Sequence, residues 1–315
     1  MNPGPVVCLG PYIVDVLARP VTEIPAAQGG AQVKEIRITA AGTGGGTAVD
    51  LAQLGVPVTA VGLIGDDELA DFLTLLLDRH GVNTEGLVRS AIAQTSATVL
   101  PIRPNGERPA LHCPGAYPAL QLDDSQRQII EGAGYLHIGG PERFLDDQVI
   151  VEAAAIARGA GALVSVDLLA SDPIEWAAQI RALLPTVDLF CPNDDQICSL
   201  YGVDDVAVAA QRAHDDGAAV VVVSTGPAGA IVVDGHGTRA IPAFQTEVVD
   251  TTGCGDAVSA GIIDGVRRGL AIDDAVQRAM AAAALVCERL GSDAGLTPAR
   301  VDEVIATRST VYVAS

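Results

Sequence analysis

The sequence predicts an α/β fold, with a mostly parallel central sheet flanked by helices and a small, separate β-sheet. Three observations predict it. Short apolar runs alternate along the chain with segments of helical period. Glycine supplies 34 of the 315 residues while aromatics supply 3%, which suits an α/β enzyme better than a β-sandwich. Two polar, proline-bearing segments of period two, 19–39 and 95–113, break the rhythm and read as the small sheet.

The elements follow in order. Apolar runs mark strands at 6–9, 59–63, 135–138, 163–167, 189–191, 219–223 and 230–233. After the second, Leu69, Phe72, Leu73, Leu76 and Leu77 recur at spacings of three and four, which is one face of a helix. Asp66, Asp67 and Glu68 stand at its start, where the helix dipole favours negative charge, and His80-Gly81 ends it with a residue suited to a left-handed cap. Near the carboxyl end, Val258, Ile262 and Val266 form another helical face, closed by Arg267-Arg268-Gly269.

Composition removes several function classes. The formal charge of −20 argues against nucleic acid, which needs a basic footprint. No run of eighteen apolar residues offers a membrane span, and the opening residues carry no basic, apolar leader, so a cytoplasmic enzyme is expected. Cys8, Cys113, Cys191, Cys198, Cys254 and Cys287 are scattered without a C-x-x-C pair and read as buried free thiols. The five histidines lack zinc-binding spacing. Lys34 is the single lysine and follows Val33, which excludes a Walker A loop and leaves no protein-kinase lysine. No G-x-S-x-G elbow is present.

The strongest local signal is Asp250-Thr251-Thr252-Gly253-Cys254-Gly255-Asp256, between the apolar pair Val248-Val249 and a helix. Gly253 and Gly255 let backbone amides converge, and unpaired amides at a helix start make an anion site. Asp256 falls in the first turn, where its carboxylate can take a proton from a hydroxyl attacking a phosphate. Taken alone, the segment reads first as a glycine turn with an acidic helix cap.

This segment, followed by A-V-S-A-G, resembles the signature of the ribokinase-like (PfkB) carbohydrate kinases, whose usual form is D-T-x-G-A-G-D. Further matches arrive in the family's order. Ala41-Gly42-Thr43-Gly44-Gly45-Gly46 is similar to its amino-terminal glycine motif, and Val61-Gly62-Leu63-Ile64-Gly65-Asp66-Asp67 to its next block. Cys191-Pro192-Asn193-Asp194-Asp195-Gln196 resembles its P-N-x-x-E segment, and Ser224-Thr225-Gly226-Pro227-Ala228-Gly229 its T-x-G-x-x-G loop.

The resemblance implies a Rossmann-like ribokinase fold that phosphorylates a hydroxyl of a sugar or sugar-like substrate with ATP and Mg²⁺. Residues 1–18, 40–94 and 114–315 would form the large domain, and 19–39 with 95–113 a β lid that closes over the sugar and pairs two subunits into a homodimer. Asp256 would be the general base, and the amides of Gly253, Cys254 and Gly255 the phosphate cradle. Asn193, Ser224, Gly226 and Gly229 would serve the nucleotide side. Asp250 and Thr252, with backbone near 286–291, would hold a monovalent cation such as K⁺. Asp15, Gly42, Gly44 and Gly46 would line the sugar.

Four positions depart from the pattern: Ala41 for the first glycine, Gly46 for a sugar-binding Asn, Ile13 for a polar contact and Gln196 for the Glu of P-N-x-x-E. The first three leave the sugar open and admit a nucleoside, while the acidic balance favours a neutral substrate. Arg103 and Arg108 in the lid segment keep a phosphorylated or carboxylated one in play. Gly46 and Gln196 motivate a catalytically weak ligand-binding alternative, and the glycine run alone motivates a dinucleotide-dependent oxidoreductase.

Overall fold

A computed structural model describes residues 4–105, 107–170, 176–291 and 295–311. Its strands are β1 (Val6–Leu9), β2 (Ile13–Arg19), β3 (Glu35–Ala41), β4 (Val58–Gly65), β5 (Asn83–Ser90), β6 (Ala97–Pro101), β7 (Leu111–Cys113), β8 (Tyr135–Gly139), β9 (Leu163–Asp167), β10 (Leu189–Phe190), β11 (Val220–Ser224), β12 (Ala230–Asp234) and β13 (Gly237–Ile241). Its α-helices are α1 (Gly45–Gln53), α2 (Glu68–Arg79), α3 (Asp124–Glu131), α4 (Gln148–Gly159), α5 (Ala177–Leu183), α6 (Asp194–Tyr201), α7 (Val206–Asp215), α8 (Cys254–Arg267), α9 (Ile272–Cys287) and α10 (Pro298–Thr307). No described helix is long and apolar enough to cross a membrane.

A strand covered on both faces must be apolar at every position. All four residues of β1 are fully buried, and alternate ones serve opposite layers. Val6 and Cys8 join a core built with α1, α2, α8, α9 and α10, while Val7 and Leu9 join one built with α3 to α7. β1 therefore lies inside a nine-stranded sheet of order β13-β12-β11-β10-β9-β8-β1-β4-β5. Pairing is parallel from β5 to β11 and antiparallel across β11, β12 and β13. The order runs outward from β1 in both directions, and in such sheets ligands bind at the carboxyl ends of the strands.

The second sheet, of order β3-β2-β6-β7, has two unlike faces. Register places Thr39, Asp15, Thr98 and His112 in one cross-strand row, and Ile38, Val16, Val99 and Leu111 in the next. Because side chains alternate, the first row is a polar face and the second an apolar one. Ile36, Ile38, Val99 and Leu111 are all exposed. A central strand of this sheet, Ile13–Arg19, lies ahead of the expected boundary at residue 19. Its apolar residues Ile13, Val14 and Leu17 are buried, although residues 1–18 were expected to belong to the large domain. Residues 20–34 carry no strand, so the expected 19–39 segment contributes only its last part.

The cysteines also differ from expectation. All six are free thiols, but Cys8 and Cys191 alone are buried, Cys113 is exposed, and Cys198, Cys254 and Cys287 are half-buried.

Helices α8 and α9 pack through small residues. A Cβ on Gly261 would lie 2.5 Å from the Cα of Ala279, and one on Gly265 would lie 2.6 Å from the Cβ of Ala275. Backbone cannot yield as a side-chain tip can, so overpacking here costs about 1–3 kcal/mol. Gly261→Ala is accordingly expected to lower unfolding free energy by that amount in urea titrations, with the fold retained.

Candidate active site

The site forms where two glycine-containing turns meet at the carboxyl ends of the strands. Gly253 caps α8 in the left-handed conformation, at φ 81°, so the chain turns sharply and the first-turn amides of Cys254, Gly255 and Asp256 begin the helix without carbonyl partners four residues back. The Cys254 amide is bent back to Thr251 O at 3.3 Å, while the Cβ position of Gly255 faces open space. The carboxylate of Asp256 lies against Gly46 of α1, and a Cβ at residue 46 would overlap it.

The amino-terminal glycines thus have uses other than those expected of sugar-lining residues. The space left by Gly46 is filled by Asp256. A Cβ on Gly42, at φ 85°, would lie 2.5 Å from Pro11 O, and one on Gly44 would lie 3.1 Å from Gly10. These glycines allow the loop after β1 to approach α1, rather than exposing a fingerprint to a dinucleotide. Ile13 is buried against Gly42, which explains an apolar residue where a polar contact was sought.

Carboxylates crowd this junction. Burial pushes Asp256 well above the ordinary range, with Asp167 and Asp15 adding to the rise and Arg108 opposing it. Asp167, at the end of β9, is pushed up to about 7 by burial and accepts a 3.2 Å bond from Ser259 Oγ. Asp15, buried on the polar face of the small sheet, is pushed up to about 6 by burial, while Thr98 and Arg108 pull it down.

Arg108 and Arg103, both considered anion contacts from sequence, separate. Arg103 pairs with Glu107 at 2.8 Å on the surface. Arg108 Nη1 donates to Thr252 Oγ1 and lies 3.9 Å from Asp250 Oδ1. Asp250 is spent on local bonds. Its Oδ1 accepts from the Thr252 amide at 3.0 Å and hydroxyl at 2.8 Å, and its Oδ2 accepts from the Gly291 amide at 2.9 Å. With these donors and a guanidinium in place, Asp250 and Thr252 do not form an open ligand pair for a monovalent cation.

A cavity of about 560 Å³ adjoins the first turn of α8. Phe244, Val248, Val258, Met280 and Ala284 make its apolar walls, and Thr251, Gly255, Ser224, Gly226 and Gly229 also line it. Apolar walls with few polar groups suit a flat heterocycle, and the α8 amides suit an attached phosphate chain. The expected nucleotide-side glycines and Ser224 are therefore brought together.

Sequence comparison matches residues 5–300 to the model of the pfkB family of carbohydrate kinases. The chain belongs to the pfkB carbohydrate kinase family. An ATP-dependent ribose-1-phosphate kinase of Halopiger xanaduensis is 29% identical over 297 residues, covering 93% of this chain and 95% of that one. An uncharacterized sugar kinase of Archaeoglobus fulgidus is 27% identical over 263 residues, covering 80% and 99%. An Arabidopsis thaliana ribokinase complexed with ribose and ATP superposes with a TM-score of 0.82 at 22% identity, covering 96% of this chain and 99% of that one. The pfkB assignment makes the protein an ATP-dependent carbohydrate kinase of ribokinase fold.

In this pfkB kinase Asn193 is first a helix cap. Its Oδ1 accepts from the Gln196 amide, and Gln196 Oε1 accepts from the Asn193 amide, both at 2.8 Å. Gln196 Nε2 also donates to Leu168 O at 2.9 Å, which a carboxylate in its place could not do. The departure from Glu therefore has a structural use. Asn193 bridges to Ser224 through the backbone but lies outside the cavity lining. Among the described residues no cluster of three or more acidic, His or Cys groups forms a protein metal cage. A Mg²⁺ ion would take most of its ligands from nucleotide phosphates and water, with one or two protein carboxylates at most.

Sequence reasoning missed Asp167, although its place at the carboxyl end of a core strand was a usable signal. It also missed the approach of Cys254 to Cys287, 33 residues apart, for which no local pattern exists.

A carboxyl raised to about 6 in the folded protein stabilises it most below the unfolded value near 3.8, and that contribution is lost as pH rises through about 6. About two pH units correspond to about 3 kcal/mol at most. Asp15→Asn should therefore gain stability relative to the parent as pH is raised from 4 to 7, read as a growing difference in Tm.

Proposed function

We propose that Asp256 acts as general base while the γ-phosphoryl group of ATP passes to a hydroxyl of a sugar or nucleoside held beneath the polar face of the small sheet. The observation that carries this reading is the position of Asp256. It lies in the first turn of α8, with the cavity and the amides of Gly253, Cys254 and Gly255 beside it, and within electrostatic reach of Asp15. A base there faces a hydroxyl on one hand and a phosphate on the other.

The raised proton affinity of Asp256 suits the task, because a base works best with a pKa closer to the working pH. Charge on the transferring group would be met by the α8 amides and by Arg108, the guanidinium at the Thr252 turn. Bound Mg²⁺ supplies neutralisation of the ATP phosphates. Phosphoryl transfer asks the protein mainly for position and electrostatics, and these residues supply both.

Asp15 would accept sugar hydroxyls, with Thr39, Thr98 and His112 beside it in the same row. The Thr39 hydroxyl oxygen is buried and lacks a protein partner, which leaves a donor for a substrate. An Asp carboxylate and Thr hydroxyl groups recognise a neutral polyol, so a neutral sugar or nucleoside fits this row better than a phosphorylated one. The capping role of Gln196 removes one motive for a catalytically weak protein, and the uninterrupted Asp256 turn favours an active kinase.

The small sheet would close over the sugar, and its outer row of Ile38, Val16, Val99 and Leu111 supports pairing of two copies through this face. Exposed, contiguous apolar rows on a sheet mark interaction surfaces.

Two measurements check these assignments. Asp256→Asn keeps the size of the side chain but cannot take the proton, so kcat with the true substrate should fall about 10²–10⁴-fold, while binding of a non-hydrolysable ATP analogue persists. A variant keeping half the parent's kcat, with chemistry limiting, would exclude Asp256 as base. Val99→Lys places a charge in the outer row and should shift the protein toward monomer in light-scattering chromatography. A mass unchanged from the parent's would remove the small sheet as the pairing face.

A further inference from the structure

Cys254 and Cys287 stand apart from the other thiols. Cys254 is the first residue of α8 and Cys287 the last of α9, and their Sγ atoms are 2.9 Å apart. Both line the nucleotide cavity. Cys254 also occupies the place where the family signature usually carries Ala. Two sulfurs at that separation need to approach by only about 0.9 Å to reach the disulfide length of about 2.05 Å. Side-chain rotation on two half-buried residues can supply much of that.

The backbone gives the pair leverage. Cys287 O already accepts the amides of Val249 at 2.7 Å and Asp250 at 3.2 Å. The start of the turn that ends at α8 is thus tied to the last residue of α9. A bond between the two sulfurs ties the other end of the same turn to the same residue. Residues 249–254 then become a loop anchored at both ends on Cys287.

We propose that Cys254 and Cys287 are a reversible dithiol–disulfide site, and that its oxidation weakens nucleotide binding. The reaction is thiol–disulfide exchange with a low-molecular-weight disulfide such as oxidised glutathione. One cysteine sulfur attacks it, forming a mixed disulfide and releasing one small thiol. The second cysteine attacks the mixed disulfide at the protein sulfur and releases the other. The protein loses two electrons and two protons, and the small disulfide is reduced to two thiols. The internal bond draws the start of α8 toward the end of α9 across the cavity wall. It holds the Cys254 and Gly255 amides away from the positions that follow a phosphate. The effect on nucleotide rests on the kinase reading of the site, whereas the bond itself does not.

The test equilibrates the full chain in reduced and oxidised glutathione at several ratios and reads intact mass, peptide maps and affinity for a non-hydrolysable ATP analogue. The expected results are a loss of two mass units, a Cys254–Cys287 linked peptide, and analogue binding weaker by about five-fold or more, the lower end of ordinary coupling between sites. Dithiothreitol restores the reduced affinity. By reciprocity, saturating analogue shifts the midpoint so that more oxidised glutathione is needed to form the bond. Cys287→Ser and, separately, Cys254→Ala should each abolish the two-unit loss and show the same analogue affinity with and without oxidant.

A glutathione adduct without the internal link overturns the site. A linked protein that binds the analogue as tightly as the reduced one overturns its effect. A reduced parent that does not bind the analogue counts against the kinase reading, and the mass measurement still decides the bond.

Discussion

The absence of a side chain at Gly46 is the constraint on which the site depends. The start of α1 and the start of α8 come together there with a carboxylate between them, and any Cβ at residue 46 would displace it. Around this contact the loop after β1 folds against the same glycine run, through Gly10, Pro11, Gly42 and Gly44. The close packing of α8 on α9 then fixes the angle at which α8 presents its amides. Asp256, the first-turn amides of α8 and the adjoining cavity are consequently gathered at a single helix end, which is the preorganisation that the proposed phosphoryl transfer needs.

Charge shapes the same place. Asp15, Asp167, Asp250 and Asp256 converge on one junction, and Arg108 reaches it from the segment between β6 and β7. The chain has one lysine among its 19 basic side chains, and the cation at this junction is a guanidinium. Arginine stays charged where lysine would shift when desolvated, which suits a site lined with carboxylates.

Much of this was legible in the sequence. The core strands announced themselves as continuous apolar runs, and the Asp250–Asp256 segment stood out by its glycine spacing and acidic first turn, with the ordered family motifs giving it a chemical meaning. Other features were not legible for identifiable reasons. Ile13–Arg19 has the apolar content of a core strand, and only its pairing with Glu35–Ala41 and Ala97–Pro101 places it in the small sheet. The glycines of 42–46 read as openings for a ligand because sequence shows that a side chain is absent but not what fills the space. Gln196 read as a weakened acidic residue, since its bond to Leu168 O depends on a loop 28 residues away. The meeting of Cys254 with Cys287 depends on how α8 crosses α9.

The two-faced small sheet has a consequence for how the molecule behaves on dilution. Its polar row carries Asp15, proposed to hold the sugar, and its apolar row lies on the opposite face, so in that reading one thin layer serves both as roof and as contact surface. If a second copy covers the outer row, the stiffness of the roof depends on that copy being present. Turnover per chain would then be a property of protein concentration, falling below the dissociation midpoint although every chemical group remained in place.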